Sequence, residues 1–403
     1  MGVDAVELLA ITEARVLTAG RPPTDTETIL VQDGRIAALG RGIDIPAGAA
    51  RIDAAGGSVI PGLIDAHCHA YGVSLSLEDM EKWPLSYVAL KASRRLEAAL
   101  RRGFTTVRDV AGGDPGLAKA IREGVIAAPR YLYTGPALSQ TGGHGDGRDP
   151  LHREPAYCGC STNVVDGVEA VRLKAREFLR QGAHAIKLLT TGGVVSPTDP
   201  LEVPQYTPEE VAAACYEANR RGAYVTAHAY SPDGIVHSIR GGVRCIEHGN
   251  LLDQPTAAEM AALGVALVPT LATYDAMGRR GAEVGLTEVG AAKNAAVLDA
   301  GQDAIRLARA AGVRIGFGTD LMGELEDEQL QGLRLQCEVE GLERTVEAAT
   351  ASNAAIMRLD REIGRIEPGL VADLVVFDGD LRANPELLWD GARTVVSGGQ
   401  PVG

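Results

Sequence analysis

No apolar run in this 403-residue chain reaches the roughly 20 residues that a membrane-spanning helix needs. The opening stretch, Met1-Gly-Val-Asp-Ala-Val-Glu-Leu-Leu-Ala10, has neither the basic head nor the long apolar core of a secretory signal, so the expected location is the cytoplasm. Positive charge is scarce as well. A formal net charge of −14 argues against nucleic acid or an anionic membrane as partner, since both call for a basic face. Cysteine is sparse: six are scattered along the chain, with Cys158-Gly-Cys160 the one close pair. Without a second pair or a neighbouring ligand histidine that spacing is a weak zinc signal, and nothing calls for a disulfide. Low-complexity segments and linkers are absent too. What remains is an ordinary globular composition, 45% hydrophobic and 23% charged, long enough for a barrel of about 250 residues plus a second unit.

The two ends read alike. Glu7–Thr12, Ala14–Leu17 and Glu27–Gln32 are short strand-like runs, and Asp33-Gly34 before Arg35-Ile-Ala-Ala-Leu39 is a strong hairpin signal. Gly369–Asp378 and Ala392–Gly399 are again β-rich. This predicts one small β-sandwich built from residues 1–60 and 356–403. Residues 61–355 instead alternate strand-like runs with amphipathic helical stretches. The strand candidates are Leu63–His69, Thr105–Val110, Arg130–Gly135, Ala185–Thr190, Tyr224–Tyr230, Cys245–Gly249, Ala266–Thr270 and Arg314–Asp320. Helical segments such as Trp83–Arg102, Gly167–Gln181 and Thr207–Arg221 lie between them, and Thr207-Pro-Glu-Glu has the cap, proline and acids of a helix start. Repeated strand-then-helix units predict an α/β fold, a (β/α)8 TIM barrel.

Active sites of such barrels lie at the C-terminal ends of the strands. There His67 and His69, two apart on one strand, face the same side and can grip one metal ion. Later strand ends add Lys187, His228, His248 and Asp320. All are nitrogen or oxygen ligands suited to zinc or a similar divalent ion. Alternation places Tyr230 inward with His228, places His184 and Glu247 outward, and lets Asp65 support His67 from behind. Taken singly, a strand-end histidine is more often a satisfied polar residue than a ligand, and His152 and His237 are read that way. Six candidate ligands converging on one rim outweigh the separate bland readings.

These residues, with the loop Thr141-Gly-Gly-His-Gly-Asp146, Ile186–Val194, Ala227-His-Ala-Tyr230, Ile246-Glu-His-Gly249, Gly318-Thr-Asp320 and Ser352-Asn-Ala-Ala, resemble the amidohydrolase superfamily. The resemblance covers essentially the whole chain. It is closest to the branch of metal-dependent prolidases, Xaa-Arg/Lys carboxypeptidases and ochratoxin-hydrolysing amidases. It implies two divalent metal ions, zinc first. His67, His69 and Asp320 would hold the more buried ion and His228 and His248 the more exposed one. Lys187 would bridge both as a carbamate formed with CO2, since a free lysine with a pKa of ~10.4 is cationic and cannot ligate.

The resemblance further implies cleavage of the amide bond of a dipeptide or N-acyl amino acid by a metal-bridging hydroxide. Asp320 would shuttle the proton. His144 would be the donor to the oxyanion. Tyr230 and the turn at Gly192-Gly193-Val194 would bind the substrate at its carboxylate. Cyclic-amide hydrolysis or ring deamination, as in imidazolonepropionase-like relatives, is the competing reading, and a non-catalytic binding barrel the third. Relatives lacking a carboxylated lysine use one metal, so Lys187 counts against the deaminase. Glu324, Glu326, Asp327 and Glu328 are either an acidic rim for a cationic substrate group or a helix start where acids suit the dipole. Partners are expected to be small peptide or amide molecules, within a homo-oligomer.

Overall fold

The computed structural model describes residues 8–148, 151, 161–196 and 199–403; His152 and the Cys158/Cys160 pair lie outside them. Both chain ends enter one connected sheet of eight strands. Its order is Gln400–Pro401, Arg393–Ser397, Leu374–Phe377, Ser58–Pro61, Leu8–Val16, Glu27–Gln32 and Arg35–Gly40, with Ala50–Asp53 also paired to Leu8–Val16. The hairpin at Asp33-Gly34 forms as expected, with φ of 50° and 75° at the two turn residues. Two differences from the sequence reading concern Leu8–Val16. It is one strand, not two, because a bulge between Ile11 and Ala14, with Glu13 at φ 51°, absorbs the apparent break. It also joins what would be separate sandwich layers into one sheet, pairing Leu9–Thr12 with residues 50–53 and Arg15–Val16 with Ser58–Val59. Leu9, Ile11, Ile29, Val59, Leu374 and Val376 fill its own apolar core.

The middle of the chain is mixed α/β. Leu63–Cys68, Phe104–Asp109 and Arg130–Tyr133 form a three-stranded parallel sheet. A six-stranded one runs Thr162–Val164, Ala137–Ser139, Ile186–Leu189, Val225–Ala229, Cys245–His248, Ala266–Val268. Helices pack against them by an apolar stripe: Leu85–Arg101 buries Val88, Ala92, Leu96, Ala99 and Leu100, the spacing of one helical face. Pro208–Arg220 begins in a capping box, Thr207 accepting from Glu210 N while the Glu210 carboxylate accepts from Thr207 N. Ala137–Ser139 and Thr162–Val164 escape the sequence reading because three residues are too few to show a period of two. Among the described residues no helix is long and apolar enough to cross a membrane.

Seven of the eight expected central strands are present; Arg314–Asp320 is not a regular strand. It meets Ala266–Val268 in one bridge, Leu267 to Ile315, and meets Leu63–Cys68 through Ala66 N–Phe317 O (3.0 Å) and Asp320 N–His67 O (2.8 Å). The reason is Asn353. Its amide nitrogen donates to Ile64 O and Phe317 O, both at 2.7 Å, and its oxygen accepts from Phe317 N at 3.0 Å. A side chain thus occupies positions that a ladder would fill, and Gly316 leaves room for it, since a Cβ there would strike Asn353 Oδ1.

Candidate active site

The C-terminal ends of the parallel strands open into a cavity of about 80 Å³. His67, His69, His144, Lys187, Val194, His228, Tyr230, His248 and Asp320 all line it, so these nine candidates from sequence are brought to one place. Ring centroids are 5.1 Å apart for His67 and His69, 4.8 Å for His67 and His248, and 4.5 Å for His228 and His248.

The arrangement fits a cation. Single ligand atoms of His67, His248 and Asp320 lie within 4.8 Å of one another. His67 Nε2 is buried and makes no hydrogen bond, although Asp320 Oδ1 is 3.3 Å away; His69 Nε2 lies 2.8 Å from that same oxygen. A buried polar atom left unsatisfied costs about 1–3 kcal/mol, which a bound ion would offset. Burial drives the pKa of His228 and of His248 well below the ordinary value, so both are neutral imidazoles, the ligating form. Burial pushes the Asp320 carboxyl the other way, but His67, His69 and His248 outweigh it and hold the group well below the usual carboxylate range. His248 and Asp320 both adopt left-handed backbone, φ 73° and 56°, a strain of about 1–3 kcal/mol each that surrounding contacts must sustain.

One assignment from sequence is corrected. Glu247, expected to point away, is fully buried against the cluster. Its Oε2 lies 2.7 Å from His67 Nδ1, and its Oε1 accepts from Arg108 Nη2 at 2.6 Å and from the Thr226 hydroxyl. Strict alternation fails because the backbone leaves the extended region at His248. Burial opposes ionisation of Glu247, yet Arg108 and then His67 hold it far below the normal range. An ionised Glu247 takes the Nδ1 proton of His67 as a hydrogen bond and leaves Nε2 as the free lone pair. Arg108, also fully buried, donates to Ala66 O at 2.6 Å and to the Tyr224 hydroxyl at 3.0 Å. Sequence reasoning missed Arg108, Thr226 and Tyr224; the available signal was an arginine inside an otherwise buried strand. Asp65 supports His67 through the main chain, accepting from the backbone N–H of His67 and of Thr319, both at 3.1 Å, from the Thr319 hydroxyl at 2.6 Å and from Gln329 at 3.1 Å.

Lys187 is 2% exposed, and among the described residues no hydrogen bond or ion pair engages its Nζ. Burial lowers its pKa from 10.5 to about 8, so the neutral amine is accessible near physiological pH.

The far wall is a loop and two tyrosines. The His144 ring stacks on His228 with centroids 4.4 Å apart and rests on Gly193, where any Cβ would enter the ring. Its Nδ1 lies 2.7 Å from Ser196 Oγ, which donates in turn to Asp199. Burial lowers the pKa of His144. His228 Nε2 lies 3.0 Å from Gly192 O. The Tyr230 hydroxyl meets that of Tyr274 at 2.8 Å, and Tyr274 and Thr270 both reach His248 Nδ1, at 2.8 and 2.7 Å. Val194 packs with Tyr230, Tyr274 and Met277 on the apolar side. His184 lies elsewhere, its Nε2 2.8 Å from Met357 O. The acidic stretch faces away too: Glu326 pairs with Arg102, Asp327 with Arg280, and Glu328 with Arg279 and Arg280.

A model of the family described as "Amidohydrolase family" matches residues 58–402. Ochratoxinase of Aspergillus niger is 31% identical over 335 residues, 79% of this chain and 70% of that protein. A solved prolidase in complex with N-methylphosphonate-L-proline has a TM-score of 0.95 at 39% identity, covering 98% of this chain and 99% of its own. A Xaa-Pro dipeptidase with methionine bound in its active site has a TM-score of 0.88 at 27% identity, with 98% and 99% covered.

Proposed function

Because the chain belongs to the amidohydrolase family, we propose that it is a binuclear metal-dependent hydrolase that cleaves the amide bond of a dipeptide or N-acyl amino acid. The observation that carries this is the convergence of His67, His69, Lys187, His228, His248 and Asp320 on one cavity, with His67 Nε2 buried and unbonded. His67, His69 and Asp320 would hold the more buried ion, His228 and His248 the more exposed one, and Lys187 would bridge them as its carbamate. Bound divalent ions, zinc first, supply the Lewis acidity that activates water and polarises an amide carbonyl.

The chain's own groups do the rest. Asp320, kept ionised, accepts a proton from the attacking water and passes it to the leaving nitrogen. His144, donating from Nδ1 to Ser196, would serve the developing oxyanion from Nε2 as its imidazolium, a form that burial disfavours and the Asp199 carboxylate behind Ser196 favours. Tyr230 and the Val194 turn receive the substrate. Leu75, Leu189, Val194, Met277 and Met322 on the cavity wall favour an apolar side chain. With Glu326, Asp327 and Glu328 tied to arginines, a neutral C-terminal residue such as proline fits better than a basic one.

In this reading the two parallel sheets close into a (β/α)8 barrel over residues 61–355, with 1–60 and 356–403 as a second unit. Hydrogen bonds from His184 N to Tyr133 O (2.8 Å) and from Ala66 N to Phe317 O (3.0 Å) support the closure. The test is a screen of Xaa-Pro, Xaa-Arg and N-acyl amino acid libraries with zinc-loaded protein, alongside metal analysis. Hydrolysis of Xaa-Pro or neutral N-acyl substrates with close to two ions per chain is expected. A single ion, with activity confined to ring amides or ring deamination, overturns the proposal.

A further inference from the structure

Lys293 projects from the helix Glu288–Leu298, and its ammonium donates to three backbone carbonyls of one loop: Gly193 at 3.0 Å, Ser196 at 2.7 Å and Asp199 at 2.6 Å. An ammonium has three protons to give, and all three go to this segment. Asp199 Oδ1, 3.7 Å away, adds charge attraction. The arrangement gathers a loop around a cation as a bound ion would, with the cation tethered to a helix. That helix is itself anchored. Asn294 donates to Tyr274 O at 3.0 Å, and Asn250 donates to Val297 O at 2.9 Å.

The gathered loop is the seat of His144. Gly193 lies flat beneath the ring, Ser196 holds Nδ1, and Asp199 accepts from Ser196. One residue before Gly193, the carbonyl of Gly192 meets His228 Nε2. We propose that Lys293 is a positioning residue of the cavity: it lines no part of it, and it fixes the orientation of His144 by holding Gly193, Ser196 and Asp199 in register. The inference rests on the reading of His144 as a substrate-facing group. It adds a distal residue that a scan of strand ends cannot reveal.

The substitution Lys293→Met keeps the length of the side chain and removes the three donors. With metal content unchanged, kcat on the best substrate should fall roughly ten- to a hundredfold, the scale on which misplacing a reacting group is felt. Added ethylammonium should restore part of the rate to Lys293→Ala, a rescue that a merely packing role would not show. A second readout needs no substrate. In protein labelled with 15N in its histidine rings, the His144 signals, assigned by their loss in His144→Asn, should move or broaden in Lys293→Met while those of His184 stay. If Lys293→Met does not fold, Lys293→Arg takes its place. A planar guanidinium cannot serve three carbonyls in the same shape, so the His144 signals should still shift. Parent-like His144 signals in the variant, or parent-like kcat without any amine effect, overturn the proposal. Absence of amide hydrolysis in the parent would sink the functional reading while leaving the spectroscopic test of the brace intact.

Discussion

Glu247 Oε2 lies 2.7 Å from His67 Nδ1, with both side chains sealed from solvent. The same carboxylate answers the charge of Arg108, also fully buried. Glu247→Gln preserves the shape and removes the charge, leaving a guanidinium without a counter-ion. Loss of one partner of a buried pair costs about 3–5 kcal/mol, to be read as a lower denaturant midpoint. Because the His67 ring also loses its anionic support, metal affinity should drop about 10–100-fold in a chelator competition. Unchanged affinity would mean that the ring is held by something else.

Lys187 sets a pH dependence. Its pKa is lowered to about 8, so the neutral amine, the form that reacts with CO2, builds up as pH rises to that value and is nearly complete above it. Recovery of activity by metal-free protein given zinc at a fixed concentration of dissolved CO2 should therefore accelerate up to about pH 8 and then level off. An unshifted lysine would keep gaining until about pH 10.4. Lys187→Ala should be inactive, with short carboxylic acids restoring part of the rate; full activity in that variant would remove the carbamate from the mechanism.

Asp320→Asn isolates proton transfer. Its oxygen still faces His67 and His69, but it can no longer take a proton, so kcat should fall about 10²–10⁴-fold with most of the metal retained. Metal analysis beside steady-state rates decides this; an undiminished kcat would place the proton carrier elsewhere.

Asn353 lies away from the chemistry, and its prediction concerns stability. Asn353→Leu removes the partner of Phe317 N and a donor from Ile64 O and Phe317 O, the last of which keeps Ala66 N, at about 1–3 kcal/mol for each group left without a partner. Urea unfolding should show the loss, with a looser metal site as its companion, since Ile64 and Phe317 lie on the segments that carry His67 and Asp320.

The residues that line the cavity were largely legible because strand ends concentrate function, and a histidine pair two apart announces itself locally. What escaped depended on contacts remote in sequence or on broken periodicity. Glu247 was misplaced because the left-handed backbone of His248 ends the alternation one residue early. Arg108 gave no local sign of an answering carboxylate, 139 residues later in the chain. The stretch 314–320 reads as a strand by composition, yet Asn353 replaces its ladder. The single terminal sheet was hidden by the bulge at Glu13, which makes one long strand look like two short ones. Lys293 had no motif at all, since its partners are main-chain carbonyls, which carry no residue signature.

The pairing of Ser58–Pro61 with Leu374–Phe377, extended by Gly62 N–Asp373 O at 2.7 Å, bears on the order of events at the ribosome. The strand leading into His67 is translated early, but the neighbour that flanks it emerges about 300 residues later, after tens of seconds at roughly 5–20 residues per second. Until then the strand leading to the first histidines has its earlier-translated neighbour, Arg15–Val16, on one side and nothing yet on the other. A product released before its last strands would carry His67 and His69 on a strand that lacks one of its two flanking neighbours.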